Sequence, residues 1–204
     1  MTAAERDNSA IADYLRKRLD YLQGCKADIE NRLRDEVHEF INACDDDNCR
    51  TYCDYINRVV RHTFRYCMLI AVCSFLEESV KSLCEVSVPN YSATLNAIRR
   101  GNWLSKHRRL LRSHKKVDVA GIGGHLDTME DFVAVRNCIV HAWGKLDKCR
   151  NKEQLRDIVQ RRSDLFEWSA DGFLVVGQDA VSTAIVSTRS LVNKLLEDLL
   201  GVPR

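Results

Sequence analysis

Arg136, Asn137 and His141 are the residues whose types and spacing could do chemistry. They lie in a segment whose apolar residues recur at helical spacing and therefore predict one buried stripe. That stripe consists of Phe132, Val135, Ile139, Trp143 and Leu146. In such a helix Asn137 and His141 share a polar face one turn apart, and the Arg136 side chain is long enough to reach either. Because an imidazole can transfer a proton and a guanidinium can stabilise negative charge, the trio could support acid–base catalysis.

Capping residues predict where this helix begins and ends. Asp127 or Thr128 is the expected N-cap, with Glu130 and Asp131 in the first turn. Gly144 predicts the end of the helix just beyond the histidine. The pattern also has a purely structural interpretation, because an arginine and a histidine on an amphipathic helix often form only a solvated face that complements the helix dipole.

Residues 136–141 resemble the signature of HEPN-domain proteins, an arginine, a polar residue, a short apolar spacer and a histidine. Arg-Asn-x-Ile-Val-His-x-x-Gly is a typical form of that signature. Residues 64–77, an apolar run that ends in Phe-Leu-Glu, resemble the long helix that precedes the motif in bacterial HEPN-like proteins. Many of those proteins also have a hairpin followed by a final helix. The resemblance extends loosely from about residue 50 to 200 and does not cover the residues before 50.

This resemblance implies an all-α, HEPN-like antiparallel helical bundle that forms a homodimer, with two Arg/His pairs meeting across the interface. The implied activity is that of a metal-independent endoribonuclease with Arg136, Asn137 and His141 as catalytic residues. The imidazole would deprotonate the ribose 2′-hydroxyl or protonate the leaving 5′-oxygen, and the guanidinium would stabilise the phosphorane. The alternative is a non-catalytic helical module that uses the same polar face to bind protein or RNA.

The resemblance also implies a biological role, that of a toxin or a phage-defence effector. Its partner would then be an antitoxin or another protein of the defence system. Ala142 and Trp143 follow the histidine at positions where toxins paired with a nucleotidyltransferase antitoxin carry a tyrosine two residues after it. The sequence therefore argues against that particular pairing and against regulation by modification of such a tyrosine.

Residues 99–116 contain eight lysines and arginines, two histidines and no acidic residue. One interpretation is a solvated helix face opposite apolar side chains. The other is a surface that follows the phosphates of RNA, with a tryptophan available to stack on a base and with His107 and His114 adding charge when protonated. The predicted RNA-binding residues are Arg99, Arg100, Trp103, Lys106, Arg108, Arg109 and Arg112.

Length and composition predict one domain. The chain has 204 residues, of which 45% are hydrophobic, and this is enough for a single core. We expect residues 1–48 to form an N-terminal helical extension and residues 49–204 to form the motif-bearing bundle. The formal net charge is only +2, so contact with nucleic acid has to come from a local basic surface.

The nine cysteines are an odd number spread mostly through apolar helical positions, and the first residues show no signal-peptide pattern. These features predict reduced thiols and a cytoplasmic location. Cys44, Cys49 and Cys53 lack the Cys-x-x-Cys spacing of structural zinc sites, so a polar turn with buried thiols is favoured and no metal or other cofactor is expected. The longest apolar run, residues 67–76, is far too short to cross a membrane.

Periodicity and turn residues predict the remaining elements. One or two helices are expected over residues 9–43, a central helix over 49–86, a short helix over 152–160 and a final helix over 178–200. Residues 165–176 predict a β-hairpin around an Asp-Gly turn. Charged residues within the central helix, Glu77 and Glu78 among them, are expected to meet an arginine on a neighbouring helix.

Overall fold

The computed structural model describes residues 3–43, 47–114 and 117–203. It confirms an all-α fold with one small antiparallel hairpin before the C-terminal helix. None of the helices in these ranges has the length and hydropathy that a bilayer crossing requires. The elements are α1 (Ala3–Ala43), α2 (Asp47–Tyr55), α3 (Arg61–Ser87), α4 (Tyr91–Ala97), α5 (Trp103–Ser113), α6 (Gly123–Ala142), α7 (Lys152–Arg161), β1 (Phe166–Trp168), β2 (Leu174–Val176) and α8 (Gln178–Leu200).

The N-terminal segment is one long helix, and Gly24 lies inside α1 without interrupting it. The first half of α1 packs on α3 and α8 and places Ala12, Leu15 and Leu19 in the same core as those helices. The guanidinium of Arg16 donates to the Pro203 carbonyl at 2.6 Å. Residues before 49 thus contribute to the main core, while the division of the chain into an extension and a bundle stays a prediction.

The central helical segment joins α2 to α3 through a π-helical turn, Ile56–Val60. Arg65 of α3 forms an ion pair with Glu30 of α1, and the two charged atoms lie 3.1 Å apart with both side chains largely buried. No ion pair joins an arginine to Glu77 or Glu78 within the described ranges, so the prediction for these carboxylates was wrong. Glu78 is exposed and Glu77 half-buried, so water can solvate a carboxylate that was expected to need a charged partner.

α6 runs through the middle of the core beside α3 and α8. It begins at Gly123, one turn before the predicted cap, because Leu126 is buried in the core and the Thr128 hydroxyl donates back to the Gly124 carbonyl at 2.8 Å. Asp131 consequently lies well inside the helix instead of in its first turn. There it accepts hydrogen bonds from two arginines that follow one another at the end of α7, at 3.0 and 3.1 Å.

The hairpin fixes the chain that leaves α6. Strands β1 and β2 pair antiparallel, and the Asp-Gly turn has Gly172 at a φ of 74°, a left-handed conformation that glycine adopts without strain. The amide of Leu174 donates to the Gly144 carbonyl at 2.8 Å, and Tyr66 of α3 donates to the Leu174 carbonyl. A Cβ on Gly144 would collide with the Tyr66 hydroxyl, and its φ is 74°. The segment after α6 therefore has a defined path between α3 and the hairpin.

Candidate functional site

The end of α6 carries the predicted catalytic trio. Phe132, Val135 and Ile139 are buried, as the predicted stripe requires, and they hold the helix against the core. Opposite them, the side chain of Asn137 is half-buried and that of His141 is exposed in the last turn. The histidine is thus accessible from solvent while its helix is packed against the core.

Trp143 does not belong to the buried stripe, which corrects the sequence prediction. Its φ is 54° and it ends α6 in the left-handed conformation, so its side chain leaves the helix surface and is 80% exposed. Val140, one residue before the histidine, is also exposed, at 41%. Leu146 is partly buried against the core, as expected. The motif histidine is therefore flanked by apolar side chains that face solvent.

Arg136 is half-buried, and its charge lies close enough to Cys73 of α3 to act on that thiol. Its Nη1 donates to the Asn137 Oδ1 at 3.0 Å, and its Nε is buried without a hydrogen-bond partner among the described residues. Burial raises the pKa of the Cys73 thiol of α3 to about 12, and the nearby Arg136 charge acts in the opposite direction. The arginine thus lies between Asn137 and α3, where it orients the amide of Asn137.

An open cleft of about 700 Å³ lies beside His141. Asn137 and His141 line it from α6, but the Arg136 side chain does not. Two permanent cations, Lys148 and Arg150, form what we call the basic rim, and no acidic side chain is among the described lining residues. The cleft therefore favours an anionic ligand. Its lining comprises Asn102, Ala134, Asn137, Cys138, His141, Ala142, Lys148, Cys149, Arg150, Asn151, Gln154 and Leu155.

The basic rim and the carboxamides beside it were missed by sequence reasoning. Lys148 ends the 3₁₀ turn Leu146–Lys148, Arg150 and Asn151 lie in the loop that follows, and Gln154 lies in the first turn of α7. The side chains of Asn151 and Gln154 are bonded to each other at 3.4 Å. The available signal was the presence of three lysines and one arginine among residues 145–152. That segment resembles any charged loop in the sequence, because its position beside His141 depends on the path that Gly144 and the hairpin impose.

The predicted RNA-binding segment is only partly available to a ligand. Arg99, Arg100, Arg109 and Arg112 are exposed. The Arg109 guanidinium donates to the Arg100 carbonyl at 2.8 Å, so it already holds the chain before α5. These four arginines present a cationic surface of the kind that attracts phosphates.

Three other residues of that segment are engaged within the fold. Arg108 forms ion pairs with Asp127 and Glu130 of α6, at 2.5 and 3.4 Å, so its charge is compensated. Trp103 is half-buried against the core, and this limits its ability to stack on a base. Lys106 is half-buried as well. The cationic surface that this segment offers to RNA is therefore smaller than the sequence predicted.

His107 is a core residue and not part of a cationic surface. Its Nδ1 donates to the Trp103 carbonyl at 2.7 Å, and its Nε2 accepts from the Tyr91 hydroxyl at 2.7 Å. Burial lowers the pKa of His107, so the neutral imidazole is favoured. The sequence prediction that this histidine adds positive charge was wrong, because the short helix α4, which supplies Tyr91, was not foreseen.

Asn102 belongs both to the basic segment, residues 99–116, and to the lining of the cleft. It lines the cleft and also caps α5, where its Oδ1 accepts from the Ser105 amide at 2.8 Å. Because its oxygen is occupied by this cap, its NH₂ group is available as a donor. The exposed Arg99 and Arg100 lie three and two residues before Asn102 in the chain. A chain of phosphates in the cleft could therefore continue onto these arginines.

Among the described residues, no group of three or more histidine, cysteine or acidic side chains is arranged to hold a metal ion. The cysteine-rich turn considered as a metal site includes Cys44, which lies outside the described residues. Residues 115–116, the last two cations of the basic segment, also lie outside them.

The chain matches no protein-family model, no curated protein and no solved structure. The resemblance to HEPN-domain proteins therefore rests on residues 136–141 and on the elements around them.

Proposed function

We propose that this chain is an endoribonuclease of the HEPN type that binds RNA in the cleft beside His141. The observation that carries the proposal is the cleft itself, in which an exposed imidazole, a positioned carboxamide and two cations meet without any described acidic side chain. Cations suit the phosphates of RNA, and carboxamides can hydrogen-bond ribose or base edges. The substrate class is thus a polyanion whose scissile phosphate lies near the histidine.

His141 performs the proton transfer in this proposal. Its imidazole removes the proton from the ribose 2′-hydroxyl, or donates one to the 5′-oxygen that leaves. Attack by the 2′-oxygen on phosphorus forms one P–O bond and breaks the bond to the 5′-oxygen. The products are a 2′,3′-cyclic phosphate and a 5′-hydroxyl. The resemblance implies that the reaction needs no divalent metal.

Arg136 acts through Asn137 in this proposal. Its hydrogen bond to the Asn137 Oδ1 leaves the amide NH₂ as the group that can meet a phosphate or ribose oxygen. Lys148 and Arg150, which do line the cleft, supply the positive charge that stabilises the phosphorane. Arg136 is therefore a positioning residue here, and the basic rim, rather than the Arg136 guanidinium, stabilises the phosphorane.

We further propose a homodimer formed through the end of α6. Val140 and Trp143 flank His141 and expose apolar surface, and Phe173 of the hairpin is exposed beside Lys145, with which it pairs. An exposed tryptophan next to the motif histidine suits an interface, because tryptophans dominate the binding energy of many protein–protein contacts. Two copies joined there bring two motif histidines together, as the HEPN resemblance implies. The partner from a toxin or defence system stays a prediction.

A double Lys148→Ala/Arg150→Ala variant is expected to bind RNA about tenfold or more weakly, because two phosphate-facing charges are lost. The slope of log Kd plotted against the logarithm of the salt concentration should be smaller by about two than that of the parent protein. Titration of a labelled RNA into the variant, in EDTA and at several salt concentrations, measures both. A His141→Ala background prevents cleavage during the titration.

The matched control is Lys81→Ala/Arg32→Ala, which removes the same two charges from exposed positions outside the cleft. It should leave the salt dependence close to that of the parent. Equal losses of affinity in the two double variants would show that the RNA responds only to net charge and would overturn the assignment of the basic rim.

A Trp143→Ala variant is expected to weaken self-association by roughly thirtyfold, the effect of losing one interface hot spot, while the melting temperature stays nearly unchanged. The ring is 80% exposed, so its removal leaves no cavity in the monomer. Sedimentation equilibrium measures the association, with Tyr21→Ala as a control at another exposed aromatic residue. A wild type that stays monomeric at high micromolar concentration, or a Trp143→Ala dimer as tight as wild type, contradicts the proposed interface.

The second candidate function is an RNA-binding module without catalytic activity. One observation favours it, because the Arg136 side chain does not line the cleft. In that case the wild type binds RNA through the basic rim but releases no fragments. Binding measured together with fragment analysis distinguishes the two functions.

A further inference from the structure

Two thiols meet in the lining of the cleft. Cys138 lies on α6 between Asn137 and Ile139, and Cys149 follows the turn Leu146–Lys148. Their Sγ atoms are 2.6 Å apart, and both residues are buried but line the cleft. The Cys149 Sγ also lies 3.3 Å from the Lys145 carbonyl, which it can meet as a donor. The two sulfurs therefore face each other next to His141.

We propose that Cys138 and Cys149 are a redox modification site, at which a peroxide joins the two sulfurs in a reversible disulfide that ties the basic rim to α6. A disulfide has an S–S bond of about 2.05 Å, so the sulfurs need to move by only a few tenths of an ångström. The backbone of both residues is already held, by α6 on one side and by the turn on the other. The bond can thus form without rearranging the cleft.

The reaction balances with hydrogen peroxide as the oxidant. One cysteine sulfur, as the thiolate, attacks a peroxide oxygen, the O–O bond breaks, and one water leaves after proton transfer. The resulting sulfenic acid is attacked by the second cysteine sulfur, the S–O bond breaks, and a second water leaves. The protein loses two hydrogen atoms overall, and a dithiol reductant restores both thiols by exchange.

The other described cysteines lack this geometry. Cys73 and Cys84 are buried, Cys67 is exposed, and no other pair of thiols in contact occurs among the described residues. Burial raises the pKa of Cys138, as does its contact with Cys149. The thiolate is therefore scarce at neutral pH, and the oxidation should accelerate as the pH rises.

The disulfide would fix the basic rim. Cys149 lies between Lys148 and Arg150, so tying it to α6 fixes their backbone relative to His141 and Asn137. A rim that is already ordered loses less conformational entropy when it binds a phosphate. Tighter RNA binding after oxidation is thus the expected consequence, and this consequence rests on the proposed function, whereas formation of the disulfide does not.

Peptide mapping of the wild-type protein tests the disulfide directly. The protein is treated with hydrogen peroxide, alkylated, digested with trypsin and analysed by mass spectrometry with and without dithiothreitol. Trypsin separates the two cysteines into the peptides 137–145 and 149–150. We expect these peptides to be joined in the oxidised sample and separate after reduction. Cys149→Ala should leave Cys138 open to alkylation, while Cys67→Ala should leave the joined peptides unchanged.

Two outcomes overturn the modification site: both thiols alkylated at a peroxide concentration that oxidises the exposed Cys67, or Cys138 joined mainly to a different cysteine. The mapping uses no RNA, so its result does not depend on the proposed function. RNA affinity is measured separately, and the oxidised protein should bind roughly threefold to tenfold more tightly than the reduced protein. If the oxidised and reduced proteins bind RNA with equal affinity, the disulfide does not control RNA binding by the basic rim. If neither form binds RNA, the result counts against the proposed function alone.

Discussion

Replacing His141 with alanine is expected to lower the rate of RNA cleavage by about 10²- to 10⁴-fold, the usual contribution of a positioned general acid or base. The imidazole is exposed at the end of α6 and no hydrogen bond within the described residues depends on it, so the fold should be unaffected. Initial rates on a labelled RNA in EDTA give the effect, and the melting temperature should stay within a degree or two of wild type.

His38→Ala is the matched control, because His38 is an exposed histidine on α1 and, among the described residues, its side chain bonds only to that of Asn42 one turn away. It should cleave at the wild-type rate. If His141→Ala also cleaves at the wild-type rate, His141 is not the acid or base. If both variants lose activity together with their melting transition, the loss arises from the fold and not from the chemistry.

Replacing Asp131 with alanine is expected to lower the free energy of unfolding by about 3 kcal/mol, the lower end of the cost of breaking a buried ion pair. The residue is only 8% exposed, and its carboxylate bridges Arg161 and Arg162, with charged atoms 3.0 and 3.1 Å apart. Removing it leaves Arg162 without its acidic partner and loosens the connection between α6, α7 and the hairpin. Urea unfolding measures the loss.

Asp127→Ala provides the comparison, because Asp127 also pairs with an arginine, Arg108, but its side chain is 62% exposed. An exposed ion pair contributes at most about 1 kcal/mol, since water screens the charges. The Asp131 variant should therefore lose clearly more stability than the Asp127 variant. Equal losses would show that the bridge to the end of α7 does not hold the region together.

Elements with strong local signals were predictable from the sequence. The Asp-Gly turn between aromatic and β-branched residues predicted the hairpin, and the apolar residues of the last helix predicted α8 with its observed ends. The burial of Phe132, Val135 and Ile139 followed from their spacing. In each case the deciding information lies within one turn or a few residues, so no distant contact has to be known.

Features that depend on distant contacts were not predictable. Trp143 continues the helical spacing, but the left-handed residue at the end of α6 turns its side chain to solvent. The sequence predicts that Arg108 is an unpaired cation, but the fold places Asp127, 19 residues later in the chain, beside it. The sequence likewise predicts that His107 lies on the surface, but α4 places the Tyr91 hydroxyl within hydrogen-bond distance of its ring. Charge and burial at these positions are properties of the packed chain and not of its local pattern.

The candidate site, too, was predictable only where its features depend on local sequence. The trio of Arg136, Asn137 and His141 was found from residue types and spacing, but the direction of the arginine was not, because it depends on how α6 lies against α3. Lys148 and Arg150 were missed because the chain has to reverse after Gly144 before they reach the histidine. The sequence therefore located the helix of the site, and the cleft required the structure.

The end chemistry of RNA incubated with purified wild-type protein in EDTA tests directly whether the chain is a metal-independent ribonuclease. We expect fragments that end in a 2′,3′-cyclic phosphate and begin with a 5′-hydroxyl, and none above background from the His141→Ala protein prepared in the same way. An absence of fragments with wild type on structured and single-stranded RNAs, fragments that form only when magnesium is added, or fragments with a 3′-hydroxyl end would each contradict this proposal.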